Sequence, residues 1–203
     1  MAFLPKAQRA AREPRVAPLP PNRPERELAA DPLRPRVFVD LQVGGAFAGR
    51  LSIELYADVA PRLAENFRVL CRGDRGARCR LLGSRFHRLE PGALLHGGDV
   101  ERGDGRGFAS IHARGAFAES PRGWVAHEAG SLTACHAGDG RVGSQFALCL
   151  GAQRHLDGRH VVFGRCLPES RALVARLAAG LGTRGDAGAP AHEVVVRGCG
   201  ELR

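Results

Sequence analysis

The stretch FHRLEPGALLHGGD, Phe86 to Asp99, gathers the side chains best suited to chemistry in this chain. Arg88 stands between a Phe-His pair and a Pro-Gly turn, and the run ends in Gly-Gly-Asp. A guanidinium is permanently charged, planar and rich in donors. The residues after the turn, Ala-Leu-Leu-His at 93–96, are smaller than a binding groove would ordinarily show. Eight histidines occur, with no H-E-x-x-H and no Cys/His pair at zinc-ligand spacing. No G-x-S-x-G elbow is present either. Metal-assisted hydrolysis and serine acyl transfer therefore have no motif to stand on, and no cofactor or metal is expected.

Two glycine runs need a physical test. GDGRVG (138–143) fits G-x-G-x-x-G literally, but a phosphate loop must follow a strand and open a helix. Here it opens SQFALCL, which reads as a strand, and GDGRG at 103–107 fails on the same ground. Both are expected to be surface loops.

Positioning elements are legible in the periodicity. Val37, Val39, Leu41 and Val43 alternate, Gly44-Gly45 makes a turn, and Leu51, Ile53 and Leu55 alternate again, which predicts an antiparallel hairpin. In APRLAENFRVLCRG, Pro61 suits a first helical turn, Leu63, Phe67 and Leu70 recur at helical spacing, and Gly73 is the stop. Strands are predicted at 86–89, 94–99, 131–135, 145–150 and 161–167, a second helix over 169–179, and a closing strand in EVVVRGCGEL. Many short strands and two helices predict a mainly β fold, a closed antiparallel barrel capped by helices.

The chain has 203 residues, 44% hydrophobic and 25% charged, enough for one domain with a tail. The first 35 residues hold eight of the thirteen prolines, with seven basic and four acidic residues. Such a segment cannot bury enough surface to offset its ordering entropy, so residues 1–35 are read as an extended tail and 36–203 as the domain. The start of the chain shows no secretory apolar segment and no run approaches membrane-spanning length, so a cytoplasmic or nuclear location is the expectation. Lys6 is the only lysine behind a net charge of +9. The balance suits an acidic partner reached through the tail, whereas nucleic acid is disfavoured because no arginine cluster is interleaved with aromatics. Six cysteines without a C-x-x-C pair are expected as small buried hydrophobes.

Several collinear motifs resemble the cyclophilins, the peptidyl-prolyl cis-trans isomerases. They are GRLSIELYADVAPRLAENFRVLC, FHRLEPG with HGGD, VGSQFALC, LDGRHVVFG and VRGCGEL, and the resemblance extends over about residues 36–202. The resemblance implies an eight-stranded antiparallel barrel with two capping helices, acting as a monomer on proline-containing protein segments. The implied reaction is rotation about an X–Pro bond, slow when uncatalysed because amide resonance must be lost. By position, Arg88 corresponds to the catalytic arginine, Gln145 to a glutamine contacting substrate backbone, and His160 and Leu156 to pocket residues.

The departures from the family pattern crowd into that pocket. Ala93 and Leu94 replace a phenylalanine and a methionine, His96 a glutamine, Ala147 a second phenylalanine, and His155 a tryptophan. Cys135 and His136 stand where Ala-Asn is common. Each lost Phe face is worth roughly 1.5–3 kcal/mol. Two of them imply about two to three orders of magnitude in catalytic efficiency. The expectation is an isomerase of attenuated activity, with a noncatalytic interaction module as the competing reading. Four imidazoles and Cys135 in one groove also raise a transition-metal or pH-sensitive site, against the plainer account of drift toward polar residues.

Overall fold

The computed structural model describes residues 22–23, 31–74, 79–112, 114–184 and 188–202. Nine strands form one antiparallel sheet: β1 (Arg36–Val43), β2 (Ala46–Leu55), β3 (Arg85–Phe86), β4 (Arg88–Glu90), β5 (Leu94–Gly97), β6 (Ser131–His136), β7 (Val142–Cys149), β8 (Val162–Cys166) and β9 (Val194–Leu202). Their order is β3-β9-β1-β2-β8-β6-β7-β5-β4. The two outermost strands, β3 and β4, are consecutive in the chain, so the sheet returns on itself through His87. Its backbone N–H donates to the His96 carbonyl at 2.9 Å, continuing the ladder. Counted as one run over 85–90, these two give the expected eight-stranded barrel; the break at His87 makes nine.

The hairpin forms where alternation predicts it. Val37, Val39 and Leu41 face inward, and Gly44 and Gly45 adopt φ of 56° and 89°, the left-handed pair that a tight hairpin turn demands. Helix α1 (Pro61–Arg72) begins on its proline and ends at Gly73 with φ 74°. Its Leu63, Phe67 and Leu70 are buried, and Phe67 meets Phe146 edge-on at 5.1 Å and Phe163 at 5.4 Å. Helix α2 (Arg171–Gly180) follows a 3-10 turn at 168–170 and seats Leu173, Val174 and Leu177 on the barrel. The helices thus plug a barrel whose interior is aliphatic and phenylalanine-rich, which leaves its outer face to carry function.

Of the Pro/Arg-rich segment 1–35, residues 1–21 and 24–30 lie outside the described residues. Asn22–Arg23 pair in parallel with Trp124–Val125. Arg34 is 7% exposed, bound to Asp58 at 2.8 Å and to Glu54 at 3.4 Å. An ion pair has no periodicity, so alternation alone places the domain boundary after this anchored arginine. All six cysteines are free thiols, with Cys71, Cys149 and Cys166 buried. Among the described residues no helix is long and apolar enough to cross a membrane.

Candidate functional site

Strand pairing sets the candidate residues in a row. Arg88 lies opposite His96, His96 opposite Ala147, and Ala147 opposite Thr133, across β4, β5, β7 and β6. Alternation then divides neighbours: Phe146 turns into the core against Phe67 and Phe86, while Ala147 faces outward. On that outer face lies a groove of 480 Å³ lined by Arg88, Leu94, His96, Cys135, His136, Gln145, Ala147, His155, Leu156 and His160. Sequence positions spanning 73 residues are thereby brought to one wall-and-floor arrangement. Ala93 is the exception: it packs with the Leu94, Ala147 and Cys149 cluster but does not line the groove.

The floor is tightly filled. Leu94 and Ala147 are 5% and 1% exposed, packed with Cys149, Cys135 and Leu156. Small side chains have closed on one another where large apolar walls would stand. Phe108, half-buried, lines the groove and supplies an aromatic that motif comparison at 93 and 147 overlooks.

Charge distribution is set by Glu90, another groove residue that the motif does not reveal. Arg88 and Glu90 are two apart on β4 and so share a face; Nη2 of Arg88 is 3.0 Å from Oε1 of Glu90. The same carboxylate oxygen is 3.4 Å from Nε2 of His96. Alternating polarity along Arg88-Leu89-Glu90 is the available signal for it. Burial lowers the His96 pKa, outweighing the pull of Glu90, so the ring is neutral at pH 7. Burial also pushes the Cys135 thiol up to about 12, so it stays protonated 3.7 Å from Nδ1 of His96. The thiol is inert as a nucleophile there.

Gln145 is 5% exposed and donates both amide hydrogens to the loop, to the carbonyls of Gly105 (2.9 Å) and Gly107 (2.7 Å). That loop is wound round Asp99. One carboxylate oxygen accepts from the backbone N–H of Glu101 and Arg102, and the other from Asp104, Gly105, Arg106 and Gly107. Burial pushes the Asp99 carboxyl up, but the N–H groups of Arg102, Gly107 and Gly105 outweigh it and bring it down to about 2. The Gly-Gly before it is equally architectural. A Cβ on Gly98, whose φ is 79°, would lie 2.3 Å from the Ser144 carbonyl. The GDGRG run is a loop, as expected, though its backbone is organised around this buried acid. GDGRVG is the hairpin loop after β6 through Arg141, but its Val142 and Gly143 are already the buried first residues of β7, so the expected surface loop holds only for 138–141.

His160 donates from Nδ1 to the Ala134 carbonyl at 3.3 Å, and its ring stacks on His136 with centroids 4.6 Å apart and planes 15° apart. Burial, with His160 adding to it, holds His136 down to about 4. Behind the groove, fully buried His127 faces Asp157 Oδ1 at 2.8 Å through Nδ1 and Thr133 Oγ1 at 2.9 Å through Nε2. This ties the Leu-Asp-Gly turn to β6 and explains the acid in LDGRH. Among the described residues, no group of three or more His, Cys, Asp or Glu is placed to hold a metal ion.

The arrangement can do one thing well: present a fixed cation beside a shallow groove framed by polar donors and small apolar side chains. It offers no activated nucleophile. The model of the family described as cyclophilin type peptidyl-prolyl cis-trans isomerase/CLD matches residues 38–201, well over half the chain. With that match and the barrel it lies on, the chain belongs to the cyclophilin-type peptidyl-prolyl cis-trans isomerase family.

Proposed function

We propose that this chain is a peptidyl-prolyl isomerase of attenuated turnover acting on X–Pro bonds of protein clients. The observation that carries the reading is Arg88, exposed on a groove that also holds Gln145, Leu156 and His160. Rotation about X–Pro requires the prolyl nitrogen to lose its amide conjugation, and its lone pair then becomes basic. A guanidinium donor near that nitrogen stabilises the twisted state more than either planar one, which is what lowers a barrier. No bond is made or broken, so a site without a nucleophile is sufficient.

Attenuation has two physical supports. Ala93 and Ala147 provide no aromatic walls, and the floor formed by Leu94 and Ala147 is already closed by its neighbours. Glu90 competes with the substrate for the Arg88 guanidinium. A protease-coupled assay on an Ala-Pro peptide, run beside Arg88→Ala, tests the proposal. Catalysed turnover that disappears in the variant supports it. Identical rates in the two, both equal to the uncatalysed rate, would leave the noncatalytic interaction module as the function.

A further inference from the structure

Two cations of the groove approach the same carboxylate oxygen. Glu90 Oε1 lies 3.0 Å from Nη2 of Arg88 along β4 and 3.4 Å from Nε2 of His96 on β5. Strand register explains the convergence. Arg88 is directly opposite His96 and Glu90 opposite Leu94, so Glu90 meets His96 on the diagonal, within reach of a long side chain. We propose that His96 is a positioning residue for the isomerase reaction: a proton taken up by its ring draws the Glu90 carboxylate onto the imidazolium and releases Arg88 to the substrate. The inference rests on the isomerase reading, which gives a released Arg88 a prolyl nitrogen to meet.

The ring is set to receive that proton at one nitrogen. Cys135 keeps its thiol hydrogen, with Sγ 3.7 Å from Nδ1 of His96. Nδ1 is therefore the acceptor, and the hydrogen of the neutral ring sits on Nε2, towards Glu90. Nε2 is buried, and its 3.4 Å approach to Oε1 falls short of a hydrogen bond. A proton arriving through the groove goes to Nδ1, and the thiol turns its hydrogen away. The ring then faces Oε1 with a full charge, and such charge-assisted contacts close to about 2.7–2.9 Å. Guanidinium and imidazolium on one oxygen repel each other. Arg88, 59% exposed, is the cation with room to leave; the His96 side chain is only 19% exposed between its strands.

The groups around His96 fix the sign of the effect. β4 presents Arg88 and Glu90, the link before it His87, and β6 Cys135, while β7 opposes the ring with uncharged Ala147. Burial disfavours the imidazolium most, and Arg88 and His87 add to it; among these groups Glu90 favours the charge. The ring is thus neutral at pH 7 and takes up its proton below 6.5. Arg88 is freed as pH falls through that step, so turnover rises on acidification. A site that depended on a neutral imidazole would lose turnover over the same range.

Two measurements on the full chain test this. Imidazole nitrogen-15 NMR between about pH 7.5 and about pH 4.5 follows the His96 step whether or not the protein turns over substrate. The step should move to lower pH in Glu90→Gln and to higher pH in Arg88→Ser. Arg171→Ser removes the same charge from an exposed position outside the groove and should leave the step in place. A step that ignores both groove variants, or moves as far in Arg171→Ser, would overturn the shared carboxylate. Exchange NMR on a neutral Ala-Pro peptide, with no coupling protease to titrate, follows catalysis over the same range. Wild-type kcat/KM should rise about two- to fivefold across the His96 step, and Glu90→Gln and His96→Gln should show no such rise. A rise that persists in His96→Gln, or a flat wild-type profile, would remove His96 from the reaction. Absence of turnover at every pH defeats the isomerase reading and the catalytic role of His96 with it, while the nitrogen-15 shifts still decide the shared carboxylate.

Discussion

Arg88 Nη2 and Glu90 Oε1 are 3.0 Å apart on one face of β4, so the cation offered to a substrate is already engaged by a carboxylate two residues away. Both side chains are substantially exposed, 59% and 38%, and a pair of that kind is worth about 0–1 kcal/mol. Removing it releases that much for the transition state. Glu90→Gln should therefore raise kcat/KM on a neutral Ala-Pro peptide by about two- to fivefold. The gain should shrink in high salt, where the pair is already weakened. A decrease in kcat/KM would show that Glu90 positions Arg88 productively.

Phe108 is the phenylalanine that lines the groove among the described residues. It is half-buried, so its free face is available to a proline ring. Truncating it removes part of the roughly 1.5–3 kcal/mol that burying a Phe supplies. Phe108→Ala should lower kcat/KM about fivefold, chiefly through KM, while the urea midpoint moves little. Unchanged kinetics would place the proline ring elsewhere on the groove.

What the sequence discloses follows from what repeats. Alternation at Val37, Val39 and Leu41, and helical spacing at Leu63, Phe67 and Leu70, declare their elements because one face of each is buried against the same core. The groove residues are legible only through motif likeness, since Arg88, Gln145 and His160 come from separate elements and no spacing links them. Glu90 and Phe108 escape even that, because Glu90 reads as one polar residue in an alternating strand and Phe108 lies outside every matching motif. His127 escapes because its role is defined by partners 30 and 6 residues away, Asp157 and Thr133. Arg34 is missed because its charge reads as tail composition until Asp58 and Glu54 are seen beside it.

Asp99 links stability to site geometry. Its carboxylate orders residues 101–107 through backbone N–H groups, and Gln145 is in turn bonded to Gly105 and Gly107. Its pKa is held down to about 2 from 3.8, so it contributes stability fully above pH 3.8 and loses it as pH falls toward 2. The linked amount is about 2 kcal/mol. Urea unfolding followed from pH 5 to pH 2 should show that loss, and Asp99→Asn should flatten it while lowering stability at pH 7. A parallel pair of curves for the two proteins would remove Asp99 from the account.

The ring of His136, stacked on His160, titrates with the opposite charge but the same direction of effect. His136 has a folded pKa of about 4 against an unperturbed 6.5, because burial and its neighbour disfavour the cation. Between those values the unfolded chain binds a proton that the folded one refuses, so stability is complete above pH 6.5 and declines as pH falls toward 4. The ring is partly solvated, which reduces the effect to about 2 kcal/mol. Other imidazoles, half-buried His87 and His96 and buried His127, are lowered as well and add to the slope, so the decisive measurement is a difference. Urea unfolding of the wild type and His136→Asn at pH 7 and pH 4.5 isolates it. The variant should lose less stability on acidification by that amount, because it removes a group that must stay neutral in the fold. Equal losses would mean that His136 takes up its proton in the folded groove, with the stack separating to admit solvent.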